Sequence, residues 1–192
     1  MKMKKIFITV MIFLAGTVIF TDMATADSMQ TIVASKSGEY FEAKIFGNYS
    51  IVLSPDNTSG GISFGGQFIY NLNDMTGVGL EIGLLKISDI ANSITLSDVS
   101  INAIPIILIG QINFKSDRIS SYIQAGAGVF LVSSSSSLIQ SERDAGFMGA
   151  AGMILPMGDA VSIGIEAKLY VIKMTSHTCV IASPGVALSF AF

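Results

Sequence analysis

From position 161 to 172 the chain alternates apolar and polar residues one by one. Ile163, Ile165, Ala167, Leu169 and Val171 take every second position, and Ser162, Gly164, Glu166, Lys168 and Tyr170 lie between them. A period of two puts each set on one side of a β-strand, whereas a helix would scatter the charges round its circumference. The same period predicts strands at 41–51, 62–71, 78–84 and 122–132. Their polar sides carry Glu42, Lys44, Asn48 and Ser50, then Ser63, Gln67 and Asn71, then Glu81 between Gly79 and Gly83, then Tyr122 and Gln124. Two further stretches are less regular. Residues 99–114 are apolar on both sides at their centre, and only Gln111 and Asn113 mark a polar side. Residues 146–157 are rich in Gly, Ala and Met and show no parity. The last stretch, 181–192, sets Val186, Leu188, Phe190 and Phe192 against Ala187, Ser189 and Ala191, which brings the strand count to eight.

The links between these strands alternate in length. Short turns fall at 71–76, 115–119 and 156–160; longer polar links fall at 54–61, 88–98, 133–145 and 174–180. Composition decides what the apolar sides face. Half the chain, 51%, is hydrophobic and only 13% is charged, with mean hydropathy +0.64, where a soluble domain carries about 25% charged residues. Beyond residue 26 no run is long enough for a spanning helix, and the longest, 103–109, is interrupted by Pro105. An even number of strands, apolar on one side, predicts an all-β fold, a closed eight-stranded antiparallel up-and-down transmembrane β-barrel. Short turns are then periplasmic and the longer links form four mobile outside loops. Pro105 and Pro184 each lack a ladder donor, so both are expected at bulges or near the rims.

The N-terminus says how the chain reaches such a membrane. Residues 1–5 read MKMKK, an apolar run follows to Phe20, and Ala24 and Ala26 form a small-residue cleavage site. That pattern predicts a cleaved signal peptide over 1–26 and a barrel domain over 27–192. The predicted mature chain has eight basic and thirteen acidic residues, a net charge of −5. With no basic cluster left, a nucleic-acid partner is excluded.

The ending GVALSFAF closes on an aromatic residue after apolar alternation, and IPIILIGQINF, YIQAGAGVF and GIEAKLYVI repeat one strand pattern. These segments resemble the small bacterial outer-membrane barrels of the OmpA-like and OmpX-like family, in the porin-like superfamily. The resemblance covers nearly all of the mature chain and implies location in the bacterial outer membrane. It further implies a C-terminal assembly signal at Val186, Leu188, Phe190 and Phe192 and insertion by the outer-membrane assembly machinery. Membrane lipid and lipopolysaccharide are the expected partners of a barrel that is monomeric. The family is functionally mixed and transfers no activity. No periplasmic peptidoglycan-binding domain is expected, because the sequence stops at the last strand, unlike that of full-length OmpA.

An eight-stranded lumen is narrow enough for side chains to fill. The expected lumen network is Glu42, Lys44, Gln67, Glu81, Gln111, Gln124, Glu166 and Lys168. A plug of paired charges is favoured over a narrow ion path, because unpaired charge away from water is costly. The expected role is therefore structural or surface-interacting, with a porin-like channel for ions or small solutes as the first alternative and a lipid A-modifying barrel enzyme as the less favoured second. Catalysis is not expected. Ser176 and His177 share the last outside loop, yet no acidic residue there would orient a base, and the reading SHTCVIAS lacks the His-x-Ser-Asn pattern of lipid A deacylases. One His and one Cys leave no metal site of that type, and the acidic Asp56, Asp89, Asp98, Glu142 and Asp144 lack EF-hand spacing. No cofactor is expected.

Overall fold

The computed structural model describes residues 39–54, 60–91, 98–115, 119–134, 142–158, 160–174 and 178–192. They form β1 (Tyr40–Ser54), β2 (Gly61–Asn71), β3 (Thr76–Ala91), β4 (Asp98–Phe114), β5 (Ser120–Ser134), β6 (Glu142–Pro156), β7 (Val161–Lys173) and β8 (Thr178–Ala191). Each strand pairs antiparallel with its chain neighbours, and β8 returns to β1 to close a barrel. Closure reaches the last residue: the Phe192 amide donates to the Phe41 carbonyl at 2.9 Å, and the Phe41 amide donates back at 3.0 Å. A closed ladder is what an apolar surround demands, because an unpaired backbone group in lipid has no water to turn to.

The alternation holds on every strand. Glu42, Lys44, Asn48 and Ser50 on β1 are buried, while Phe41, Ile45 and Tyr49 are exposed. Ser63, Gln67 and Asn71 on β2, Glu81 on β3, and Gln111 and Asn113 on β4 point in; Ile62, Phe68, Ile82 and Leu108 point out. At the turn end of β1 and β2, Phe41, Phe68, Tyr70 and Phe192 form an aromatic cluster with ring centroids 4.9–6.4 Å apart. The Tyr70 hydroxyl there donates to Glu39, so the ring body meets lipid and its polar tip faces water.

β6 acquires the parity its sequence did not display. Asp144, Gly146, Met148 and Gly152 point in; Ala145, Phe147 and Gly149 point out. Gly146 and Gly152 are small because the space over them is already taken. A Cβ on Gly146 would meet Phe130 Cε2 and the Val171 carbonyl oxygen at 2.6 Å, and one on Gly152 would strike the Tyr122 ring. Asp144 is a polar inward marker on β6, but it lies before the stretch 146–157, which holds none because its neighbours supply the side chains there.

Two expectations are corrected. The strands run past the points where polarity rises, so the links shrink. β3 and β4 pair as far as Ala91 and Asp98, and β6 begins at Glu142. The four links at the loop end then occupy 55–60, 92–97, 135–141 and 174–177, against turns at 72–75, 115–119 and 157–160. Polar residues mark where a strand leaves lipid, not where it leaves the sheet. The mobility expected of the 133–137 serine run falls mainly outside the described residues.

The prolines are also not at rims or bulges. Pro105 lies in the middle of β4 and pairs with Phe130, while the β3 ladder resumes in unchanged register from Ile82↔Ile106 to Leu85↔Ala103. Pro184 lies in mid-β8, paired with Ala167, and the β1 ladder steps over it between Asn48↔Gly185 and Ile51↔Ala182. Long, otherwise continuous pairing on both sides holds each strand in register across one missing donor. The register shifts instead fall at Val52/Ser54 and Lys86/Ser88, near the loop end.

Replacing Gly146 by Val should lower unfolding stability by ~1–3 kcal/mol through overpacking against Phe130. Urea titration of the detergent-refolded barrel measures it, and an unchanged midpoint would contradict the packing described.

Candidate functional site in the barrel lumen

Among the described residues the lumen holds six buried charged groups from four strands: Glu42 and Lys44 on β1, Glu81 on β3, Asp144 on β6, and Glu166 and Lys168 on β7. They lie there because a barrel turns every second residue inward. Lys168 sits between two carboxylates, with Nζ 2.8 Å from Glu81 Oε2 and 3.2 Å from Glu166 Oε1. Each carboxylate is completed from elsewhere. Glu81 accepts from the Tyr170 hydroxyl at 2.7 Å and from Gln67 Nε2 at 2.6 Å. Glu166 accepts from the Tyr122 hydroxyl at 2.8 Å and from Asn48 Nδ2 at 3.3 Å. That degree of satisfaction offsets the cost of taking these three charges out of water.

From Glu81 the network continues as a chain of amides. Gln67 and Gln124 exchange hydrogen bonds at 3.1 and 3.0 Å, and Gln124 donates to Gln111 at 2.6 Å. Gln111 donates to Asn113 at 2.7 Å, and Asn113 donates to Asn71 at 3.2 Å. Amides carry both donor and acceptor, so such a chain can cross the lumen without net charge. The two ammonium groups also use ring faces: Lys168 Nζ lies 3.1 Å from the Phe46 centroid and Lys44 Nζ 3.8 Å from that of Tyr122.

The other half of the lumen is largely apolar, with the buried Asp144 facing into it opposite Phe130. Towards the loop end Val52, Leu85, Ile87, Phe130, Val132, Ile172, Cys179 and Ile181 are buried in one continuous cluster. The outer face is apolar and broken only near the ends, the inner face is part polar and part packed, and a family model for the outer membrane protein beta-barrel domain matches residues 13–183. The chain belongs to that outer-membrane β-barrel family. Among solved structures it is similar to the Neisserial surface protein A (TM-score 0.63, 14% identity, covering 81% of this chain and 98% of that one). It is also similar to Ail of Yersinia pestis, solved with the heparin analogue sucrose octasulfate (0.55, 17%, 81% and 99%). The N-terminal β-barrel domain of OprF from Pseudomonas aeruginosa is a third likeness (0.55, 17%, 82% and 100%). At such identities these three share the fold. No curated protein sequence matches the chain.

In this outer-membrane barrel all eight residues expected in the lumen are buried there, and six of them join hydrogen bonds or ion pairs with one another or with the two tyrosines, while Lys44 meets only the ring face of Tyr122 and its Nζ has no hydrogen-bond partner among the described residues. Glu42 stands apart. It lines a cavity of about 130 Å³ at the turn end together with Tyr40, Asn113, Ser121, Ser162 and Ser189, and its Oε1 has no hydrogen-bond partner among the described residues. The polar expectation was too uniform: Phe46, Ile107 and the loop-end cluster also fill the lumen. Tyr122 and Tyr170 complete the carboxylates, and their inward parity was legible although their bonds were not. Of the C-terminal set, Val186, Phe190 and Phe192 are exposed on the outer face and Leu188 is half-buried. Ser176 and His177 lie outside the described residues.

Lys168→Met leaves two buried carboxylates without their cation and should destabilise the barrel by ~3–5 kcal/mol. Tyr170→Phe removes one hydrogen bond to a charged group and should cost ~1.5–3 kcal/mol. Lys115→Met breaks the exposed pair with Asp74 at 2.5 Å and should cost at most ~1 kcal/mol. Chemical unfolding in detergent measures all three, and equal effects would contradict the buried network.

Proposed function

We propose that this outer-membrane barrel is a monomer with a structural or surface-interaction role and no through-channel. The observation that carries the reading is the packed apolar cluster between Val52 and Ile181, which fills the loop end of the lumen. An ion crossing it would shed most of its hydration against apolar side chains, with the buried Asp144 carboxylate opposite Phe130 as the charged group at that level. The turn-end cavity supports a different, blind opening, because its lining residues all belong to the turn-end part of the strands. The porin-like alternative requires that cluster to part. Planar-bilayer recordings of the refolded protein should show no discrete conductance steps, and reproducible unitary steps would overturn the closed reading.

The loop end is read as facing the cell exterior and the turns as periplasmic, in keeping with the usual arrangement of such barrels. Residues 1–26 are read as a cleaved export signal and the outward Val186, Leu188, Phe190 and Phe192 as the contact for the assembly machinery. The chemistry supports no enzyme: the sequence around His177 offers no acidic partner for a base. Protein purified from outer membranes should begin at Asp27 by N-terminal mass spectrometry. In the same cells lipid A mass should not change on expression; a mass change abolished by His177→Ala would replace this reading with an enzymatic one.

A further inference from the structure

The described cations sort into three places. Lys44 and Lys168 are inside the lumen, Lys115 pairs with Asp74 at the turn end, and the rest lie near the loop end. Among the latter, Arg143 on β6 and Lys173 on β7 are exposed and share outward parity with Phe147 and Leu169. The register sets Lys173 opposite Ala145, which makes Arg143 its diagonal neighbour on the same outer face, about 7–8 Å away. Neither has an ion-pair partner among the described residues. The acids beside Arg143, Glu142 and Asp144, have the opposite parity. The links that flank the pair, 135–141 and 174–177, contain no acidic residue in their sequence. On the outer face of β8, Thr178 stands opposite Lys173 and adds a hydroxyl.

Their depth is set by what lies below them. On β7 the outward residues from Val161 to Val171 are all apolar, and on β6 those from Leu155 to Ala145 are apolar or glycine. Ten residues at about 3.3 Å each, tilted by roughly 40°, rise about 25 Å, the height of the apolar band of such barrels. On both strands the first charge therefore comes directly after the band, where lipid phosphates lie. Two like charges held side by side are unfavourable by themselves and favourable around an anion. An arginine fork offers paired donors to phosphate and a lysine a point charge.

We propose that Arg143 and Lys173 form an outward-facing site for a phosphate of an outer-leaflet lipid. It rests on the proposed orientation of the loop end, and names the partner there. The site clamps the phosphate from the barrel side while the acyl chains lie along the small residues Ala145, Gly149 and Ala151 of β6.

The full chain, reconstituted in phosphatidylcholine nanodiscs containing lipopolysaccharide, tests this by native mass spectrometry of retained lipid. Arg143→Gln and Lys173→Gln should each weaken retention about fivefold and the double variant about thirtyfold, while Lys115→Gln leaves it unchanged. Enzymatic dephosphorylation of the lipid should reduce retention by the wild-type chain as the double variant does, an arm that stands even if the variant fails to fold. Wild-type retention by the folded double variant, equal loss in Lys115→Gln, or indifference to dephosphorylation would each overturn the site. Labelling of Ser137→Cys on intact cells with an impermeant maleimide reports the orientation separately, so its failure is distinguishable from loss of lipid binding.

Discussion

In a hydrocarbon surround every backbone amide and carbonyl needs a protein partner, and the rest of this structure follows from that requirement. A sheet can meet it only by closing on itself. Here the closure is carried to the final residue, where Phe192 and Phe41 exchange hydrogen bonds across the seam. The two prolines show how much slack the ladder has. Pro105 and Pro184 each interrupt one neighbour ladder in mid-strand, and pairing resumes on both sides without a change of register. A single missing donor is thus absorbed by the continuity of its surroundings, while the register shifts are confined to the loop end.

Closure with eight strands creates a second constraint, a lumen too narrow to leave empty. The chain fills it in two ways. Near the middle and the turn end, Lys168 holds Glu81 and Glu166, tyrosine hydroxyls complete both carboxylates, and the Gln67 to Asn71 amide chain carries the bonding across. Near the loop end a hydrophobic cluster takes over, with Asp144 as its one charged neighbour among the described buried residues. The polar half specifies partners, because each charge left unmatched would be penalised; the apolar half excludes water. On the proposed function they make a sealed post with a blind cavity beneath, which leaves recognition to the outer rim. The Arg143–Lys173 pair belongs to that rim.

Much of this was legible from alternation. Glu42, Lys44, Gln67, Glu81, Gln124, Glu166 and Lys168 stood at inward parity in strands whose outward positions were apolar, and one-residue errors of register would have exposed them all to lipid. Gln111 and Asn113 carried the parity of β4 unaided. The stretch 146–157 of β6 was illegible because its inward Gly146 and Gly152 are kept small by Phe130 and Tyr122 from the neighbouring strand and the inward Met148 is as apolar as the outward residues. Strand ends were misjudged for a different reason. Ser88, Asp89 and Glu142 are polar yet stay in the ladder, since a strand leaving the membrane may face water without ending.

The sequence by itself determined the fold class, the strand count and the side of each regular strand that meets lipid. These follow from a period of two repeated over the chain, a local property that needs no knowledge of neighbours. Only the tertiary structure decided which inward groups touch. Lys168 and Glu81 are 87 residues apart, and no spacing rule links them; barrel tilt and stagger bring β3 and β7 to the same level across the lumen. The division of the lumen into a polar and an apolar half was decided in the same way. Inward leucine, isoleucine and phenylalanine look like any other strand residues until closure stacks them at one end.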